Sequence, residues 1–304
     1  MGTPEFAVPS LKLLFENKFE IVSVATVPDA KKGRGLKISE SPVKIFALQN
    51  RIKLLQPVYL KDAEFEEQIR SLSPDLIVVV AFKILPKEIF NIPKYGSINL
   101  HASLLPKYRG AAPINRAIIK GEIVSGVTSF FLKEKVDTGN IIIQKRIDIK
   151  PEDNAGTLHD KLSELGAQVV LETVQMIESG NISTIMQDNS LATPAPKISK
   201  EDCRIDWNRS SVAIHNLIRG LSPYPGAFSN LENKFIKIFK SGLSEIKSYD
   251  NAGKIFVDNR KLFVNAEDNL LEIFELQPEG RNRMRASDFI NGLDKGKLTD
   301  YSFK

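Results

Sequence analysis

Cysteine is almost absent from this chain, with Cys203 the single example in 304 residues. One thiol closes no intramolecular disulfide, and no CxxC pair exists to grip a metal. Histidine is nearly as scarce: His101, His159 and His215 occur without HExxH or paired spacing, so a metal site is not expected. No apolar run approaches the ~18 residues that a membrane helix requires. The opening MGTPEFAVPSL lacks the basic segment and apolar stretch of a signal peptide. Neither GxGxxG nor GxxxxGK(S/T) occurs, which argues against nicotinamide and nucleoside-triphosphate chemistry. Internal repeats and low-complexity tracts are missing too. These absences leave the expectation of a reduced, cytoplasmic protein with no metal and no membrane association.

What is present is ordinary globular composition, 42% apolar and 26% charged. The length exceeds what one core usually organises, so two domains are expected. A net charge of +5 permits an anionic partner without demanding one.

Short apolar runs alternate with amphipathic stretches through the first part of the chain, the pattern of an α/β domain with a largely parallel sheet. Glu20–Val27 and Asp75–Phe82 read as strands covered on both faces, and Gly96–His101 as a third. Pro42–Asn50 and Asp62–Ser71 have helical spacing, with Asp62 placed to cap the second. Gly126–Leu132 and Asn140–Ile149 flank Asp137-Thr138-Gly139 as a hairpin, and a long helix spans Ala155–Ser179. The pattern gives an α/β domain over residues 1–188 and a linker over 189–200, where NSLATPAPKISK holds two prolines without apolar periodicity. Residues 201–304 follow with one short helix, Ser210–Gly220, and several strand-like runs separated by Asn, Gly or Asp turns. They suggest a small antiparallel β-barrel of OB-like type.

The informative stretch is Gly96–Ile118, GSINLHASLLPKYRGAAPINRAI. Asn99 and His101 project from one side of a strand by period-two alternation, near the strand's carboxyl end, where open α/β sheets bind ligands. An amide and an imidazole there can hold a carbonyl oxygen as it becomes an oxyanion. An isolated pair of this kind is more often a histidine satisfied by packing; the particular SLLPKYRGAAP loop that follows shifts the balance toward function. Asp137 stands alone as a turn-forming residue, and Ser103–Pro106 equally as a turn ending a strand. KKGRGLK, residues 31–37, is a basic loop suited to an RNA backbone or simply to water. His159 and His215 fall in helices and read as structural. Cys203 has no neighbouring base and is not expected to be catalytic.

Six blocks carry a resemblance: GTPEFAVPSL, GRGLKISESPVK, INLHASLLPKYRGAAPINRAI, VDTGNII, KISKEDCRIDW and LSPYPGAF, in that order. The sequence resembles the methionyl-tRNA formyltransferases across nearly its whole length. The resemblance implies a Rossmann-like formyltransferase domain with a mostly parallel sheet, followed by a smaller tRNA-binding barrel. It implies transfer of the formyl group of 10-formyltetrahydrofolate to the α-amine of initiator methionyl-tRNA for translation initiation, by a monomer. Catalytic roles fall on Asn99, His101 and Asp137. Folate binding falls on Ser103, Leu104, Leu105 and Pro106, and tRNA contact on Arg34, Lys37 and Lys234. Spacing in the last segment sets Lys234 and Lys240 on one strand face and Lys237 on the other. In that family a short apolar strand precedes the GTPEFA loop. Here Met1 directly precedes Gly2, so the expectation is that this strand is missing and the start misassigned. Two alternatives stay open: a folate-dependent formyltransferase for an amino sugar or a glycinamide nucleotide, and an inactive RNA-binding protein on the same scaffold.

Overall fold

A computed structural model describes residues 1–32, 37–232, 234–294 and 300–304. The first elements are α1 (Val8–Glu16), β1 (Val24–Ala25), β2 (Ala30–Lys32), β3 (Lys37–Ser39), α2 (Pro42–Gln49) and β4 (Leu54–Leu55). Then come α3 (Ala63–Leu72), β5 (Ile77–Val80), α4 (Lys87–Phe90), β6 (Ser97–His101), α5 (Pro113–Ile119), β7 (Val124–Phe131), β8 (Ile141–Asp148) and α6 (Ala155–Glu178). The last part holds α7 (Ser211–Gly220), β9 (Ala227–Leu231), β10 (Lys234–Lys247), β11 (Ile255–Asp258), β12 (Lys261–Asn265), β13 (Asn269–Pro278), β14 (Met284–Arg285) and α8 (Ala286–Ile290). None of the helices among the described residues is long and apolar enough to cross a membrane.

Helix starts follow local chemistry. Ser41 Oγ accepts from Lys44 N at 3.0 Å, and Pro42 opens α2 with its φ already suited to a helix. Asp62 caps α3, whose first turn carries Glu64 and Glu66 and whose last turn carries Arg70, matching the helix dipole at both ends. Asn154 and Thr157 cap α6 reciprocally, each side-chain oxygen accepting from the other's backbone N–H at 3.0 Å.

The chain forms two compact units. One comprises Met1–Ala111, Val124–Ile147 and His159–Ala195; the other comprises Ala112–Ile123, Asp148–Leu158 and Pro196–Lys304.

In the first unit β1 and β4 pair in parallel, β5 and β6 pair in parallel, and β6 runs antiparallel to β7, which neighbours β8. β5 shows why its run is uniformly apolar: Ile77 and Val79 pack with Phe65 and Ile69 of α3, while Leu76 and Val78 join Ile98, Val174 and Ile177. Alternate residues thus enter cores on opposite faces of the sheet. Met1 and Gly2 stand between β1 and β5. Gly2 N donates to Ala25 O at 3.0 Å, Val80 N donates to Met1 O at 2.9 Å, and Gly2 bridges Val80 in parallel. The Met1 amine donates to Val78 O at 2.6 Å, and burial pushes its pKa down to about 5. A cavity of about 480 Å³ opens beside these two residues, lined by Leu11, Leu14, Val24, Val78, Val174 and Ile177 among others.

In the second unit one antiparallel sheet has the order β11-β12-β13-β10-β9, with β14 beside β13. The path is open: no described pairing joins β11 to β9, so the expected barrel is not closed strand to strand. Residues 301–304 instead bond to both edges. Ile255 N donates to Tyr301 O at 3.2 Å and Phe303 N to Gly253 O at 2.8 Å, while Asn230 and Lys304 exchange bonds of 3.0 and 2.7 Å. α7 seats Ile214 and Ile218 in a core with Ile236, Ile238, Leu262 and Leu271. β10 carries an irregularity at Phe239, where Ile238 opposes Leu276 but Lys240 opposes Glu275. That extra residue reverses the alternation. Lys240 therefore shares a face with Lys237, opposite Gln277, and not with Lys234, which corrects the simple spacing argument.

His215 of α7 is half-buried, its Nδ1 3.0 Å from Ser241 Oγ. Burial, aided by the nearby Arg219 charge, lowers its pKa to about 4. The unfolded chain, near 6.5, takes up a proton first, so the stability linked to neutral His215 is present above about pH 6.5 and lost as pH falls through 4. The unfolding free energy from urea titrations should fall between pH 7 and 4 for the native protein by on the order of 3 kcal/mol more than for His215→Gln. Parallel pH profiles for the two proteins would contradict this.

Candidate active site

β6 ends at His101, and the chain turns at once into the Ala102–Gly110 loop. His101 and Asp137 are both nearly inaccessible, 7% and 9% exposed, and His101 Nδ1 lies 3.7 Å from Asp137 Oδ2. His101 Nε2 lies 2.8 Å from Tyr108 O. A carbonyl can only accept, so Nε2 carries the hydrogen, and Nδ1 is the ring atom that faces the carboxylate. At 3.7 Å that separation suits an ion pair with a protonated ring. It is too long for a direct hydrogen bond. Asn99, two residues earlier on β6, is half-buried, and its amide has no hydrogen-bond partner among the described residues.

Asp137 sits in the β7–β8 connection with φ +55, a left-handed conformation tolerated by Asp in tight turns. Its Oδ2 accepts from Gly110 N at 2.8 Å. Glycine is needed at 139 because a Cβ there would lie 1.5 Å from Phe131 O. Gly110 combines φ +124 with a Cβ position 2.7 Å from Ala195 O, so both loops close only around glycine.

The Ser103–Pro106 turn is held from within. Ser103 Oγ donates to Lys107 O at 2.6 Å. Thr128 Oγ1 donates to Ser103 O at 2.6 Å and accepts from Leu105 N at 3.2 Å and from Gln144 Nε2 at 2.9 Å. Gln144 also donates to Leu105 O at 2.9 Å. Ser103 and Leu105 thus face inward, and Leu104 and Pro106 keep the accessible surface of the turn. Thr128 and Gln144 escaped the sequence reading because strand alternation marks Thr128 only as an inward polar residue and Gln144 only as an exposed one.

Of the cations singled out in sequence, Arg34 lies outside the described residues, and Lys37 is described only as backbone of β3, paired with Lys32 of β2. Lys234 begins β10 and is exposed, whereas Lys237 Nζ donates to Pro225 O at 2.8 Å. His159 packs edge-on against Phe6 at 5.2 Å, and Cys203 is buried, its thiol donating to Ser199 O and pushed up in pKa by burial. Among the described residues no cluster of three or more His, Cys, Asp or Glu is placed to hold a metal ion.

Residues 1–174 match the formyl transferase family, and residues 197–294 match the formyl transferase C-terminal domain. The chain belongs to the formyl transferase family. Proteins named methionyl-tRNA formyltransferase from Flavobacterium johnsoniae and Caldanaerobacter subterraneus are each 46% identical over 96% of this chain and 95% of their own length. Among solved structures, the sugar 3N-formyl transferase WlaRD, crystallised with dTDP and 5-N-formyl-THF, has a TM-score of 0.69 at 25% identity, covering 92% of this chain and 97% of that one. The N-formyltransferase of Helicobacter canadensis, in complex with folinic acid and dTDP-3-aminofucose, has a TM-score of 0.67 at 25% identity, covering 90% and 96%.

Formyl transfer needs three things of a site: donors for a developing oxyanion, a place to hold the amine proton, and a route for that proton to the leaving nitrogen. In this formyl transferase, β6 and the β7–β8 turn bring an imidazole and a carboxylate together in a buried locus, with the half-buried Asn99 two residues earlier on β6.

Proposed function

We propose that this protein transfers the formyl group of 10-formyltetrahydrofolate to the α-amine of initiator methionyl-tRNA in the cytoplasm. What carries the reading is similarity to named methionyl-tRNA formyltransferases over both units, at 46% identity and 96% coverage. The Asn99–His101–Asp137 geometry supplies matching chemistry.

An α-amine titrates near 8, so the attacking nitrogen must shed a proton to become nucleophilic. As its bond to the formyl carbon forms, the carbonyl oxygen gains charge. The Asn99 amide and the His101 ring N–H are the donors proposed to receive it, the latter exchanging its bond from Tyr108 O. Asp137 holds the ring and stabilises positive charge on it across 3.7 Å. The ammonium proton goes to solvent before attack; the second proton, which the nitrogen sheds once bonded to the formyl carbon, passes to this pair, directly or through water. It then goes to the tetrahydrofolate nitrogen as the carbon–nitrogen bond breaks, so the proton balance closes without a metal. Leu104 and Pro106 are proposed to contact the folate from the Ser103–Pro106 turn, which the Thr128 and Gln144 bonds hold rigid.

For the tRNA, Arg34 and Lys37 are proposed to guide the acceptor end and Lys234 to meet the backbone. The second unit is read as a small OB-like barrel whose two sheet edges are spanned by residues 301–304.

The decisive test offers 10-formyltetrahydrofolate with charged initiator tRNA in one reaction and with a dTDP-amino sugar in another. Formyl-methionine released from the tRNA is expected; formylation of the sugar nucleotide alone would replace this reading. With the same tRNA, Lys234→Ala should weaken binding and flatten the slope of log K against log salt by roughly one counterion. An unchanged slope would remove Lys234 from the tRNA contact.

A further inference from the structure

Residues 187–195 overlap the segment whose proline, serine and threonine content resembles a linker, yet they are bonded tightly within the first unit. Thr193 O accepts from Arg109 N at 2.9 Å, Ala195 N donates to Arg109 O at 2.6 Å, and Thr193 Oγ1 accepts from Tyr108 N at 2.9 Å. Tyr108 O, on the same residue, holds His101 Nε2.

Gln187 is the centre of this strap and is 6% exposed. Its Nε2 donates to Asp137 O at 2.9 Å and to Gly139 O at 2.7 Å, fastening both ends of the Asp137 turn. Its Oε1 accepts from Arg109 Nη2 at 2.7 Å and Nε at 3.2 Å, and Arg109 Nη2 also reaches Asn189 Oδ1 at 2.9 Å. One side of the amide therefore grips the turn carrying Asp137. The other grips the residue preceding Gly110, whose N–H holds the Asp137 carboxylate.

Two converging carbonyls demand two N–H donors, and a guanidinium demands an acceptor. A neutral carboxamide meets both demands at once. A glutamate keeps the bonds to Arg109 but sets a carboxylate against two carbonyl oxygens, and an alanine leaves the two buried carbonyls without these donors and takes an acceptor from the partly exposed Arg109.

We infer that Gln187 is a positioning residue that sets the Asp137 carboxylate against His101, with Thr193 acting through Tyr108 on the other side of the same ring. This rests on the formyl-transfer role proposed above for Asp137. A displacement of about an ångström at a reacting group can lower turnover by as much as 10²-fold, so the device matters for rate more than for affinity.

The test is a cycle of four proteins, native, Gln187→Ala, Asp137→Asn and the double variant, assayed for kcat and KM with the acceptor that the native enzyme formylates. Gln187→Ala should lower kcat by about tenfold or more while leaving KM for the formyl donor within about threefold. In the Asp137→Asn background the same change should cost less than about threefold, because the carboxylate being positioned is gone. An equal loss in both backgrounds, or a loss confined to KM, would overturn the inference. Thr193→Val, nearly isosteric, guards against a Gln187 variant that fails to fold: it should lower kcat with an unchanged melting temperature, and native turnover would count against the strap. An inactive native enzyme would indict the proposed reaction and not the positioning.

Discussion

His101→Ala is expected to lower kcat by about 10²–10³, equivalent to about 2.7–4 kcal/mol of transition-state stabilisation, the loss typical of one oxyanion donor. The ring supplies more than a donor here. Nε2 is bonded to Tyr108 O and Nδ1 faces Asp137, so the substitution removes both the hydrogen aimed from Nε2 and the group that holds the proton beside the carboxylate. KM for the formyl donor should move little, since the turn at Ser103–Pro106 is secured by Thr128 and Gln144 independently of His101. A buried ring is also being deleted, so the melting temperature must be recorded alongside. Stopped-flow or quenched formylation assays, with circular dichroism on the same preparations, settle the matter. Activity within a few-fold of native in a folded variant would show that His101 is a packed residue at a strand end.

Asp137→Asn is the second change with a large expected effect, a fall in kcat on the order of 10²-fold, the lower end of what a positioned acid–base group contributes. The amide keeps an oxygen that can accept from Gly110 N, and the Gln187 bonds go to backbone carbonyls that the substitution does not touch. The turn should therefore persist. What disappears is a full negative charge 3.7 Å from the ring, which would favour the imidazolium that forms as the proton is transferred. Donor affinity, measured by fluorescence quenching or calorimetry, should stay within about threefold. If donor binding collapses and proteolysis finds a new cleavage site near residue 137, Asp137 is a structural turn residue, and the loss of rate follows from disorder.

The elements that position this site were legible wherever a local signal exists. Asp62 announced its helix because a cap bonds an N–H group two residues away. β5 was recognisable because both of its faces enter apolar cores, leaving no polar alternation. The hairpin around Asp137 was legible from two strand-like runs on either side of the Asp137-Thr138-Gly139 turn residues. Strand limits were less readable: the run Glu20–Val27 contributes only Val24–Ala25 to a ladder, since pairing depends on the length of its neighbour β4 and not on its own composition.

Amino-acid order by itself determined which chemical groups this protein owns, and that they lie at a strand end and in a tight turn. Only tertiary structure decided what holds those groups in register. Gln187 meets Asp137 across 50 positions and Arg109 across 78, and no periodicity extends over such distances. The segment that follows Gln187, 189–200, reads as a linker because proline, serine and threonine serve equally in free chain and in a strap whose polar groups are answered by another loop. The irregularity at Phe239 and the bridging of two sheet edges by residues 301–304 belong to the same class. Each depends on which backbone groups remain unpaired once the sheets have assembled, a quantity that exists only in the folded chain.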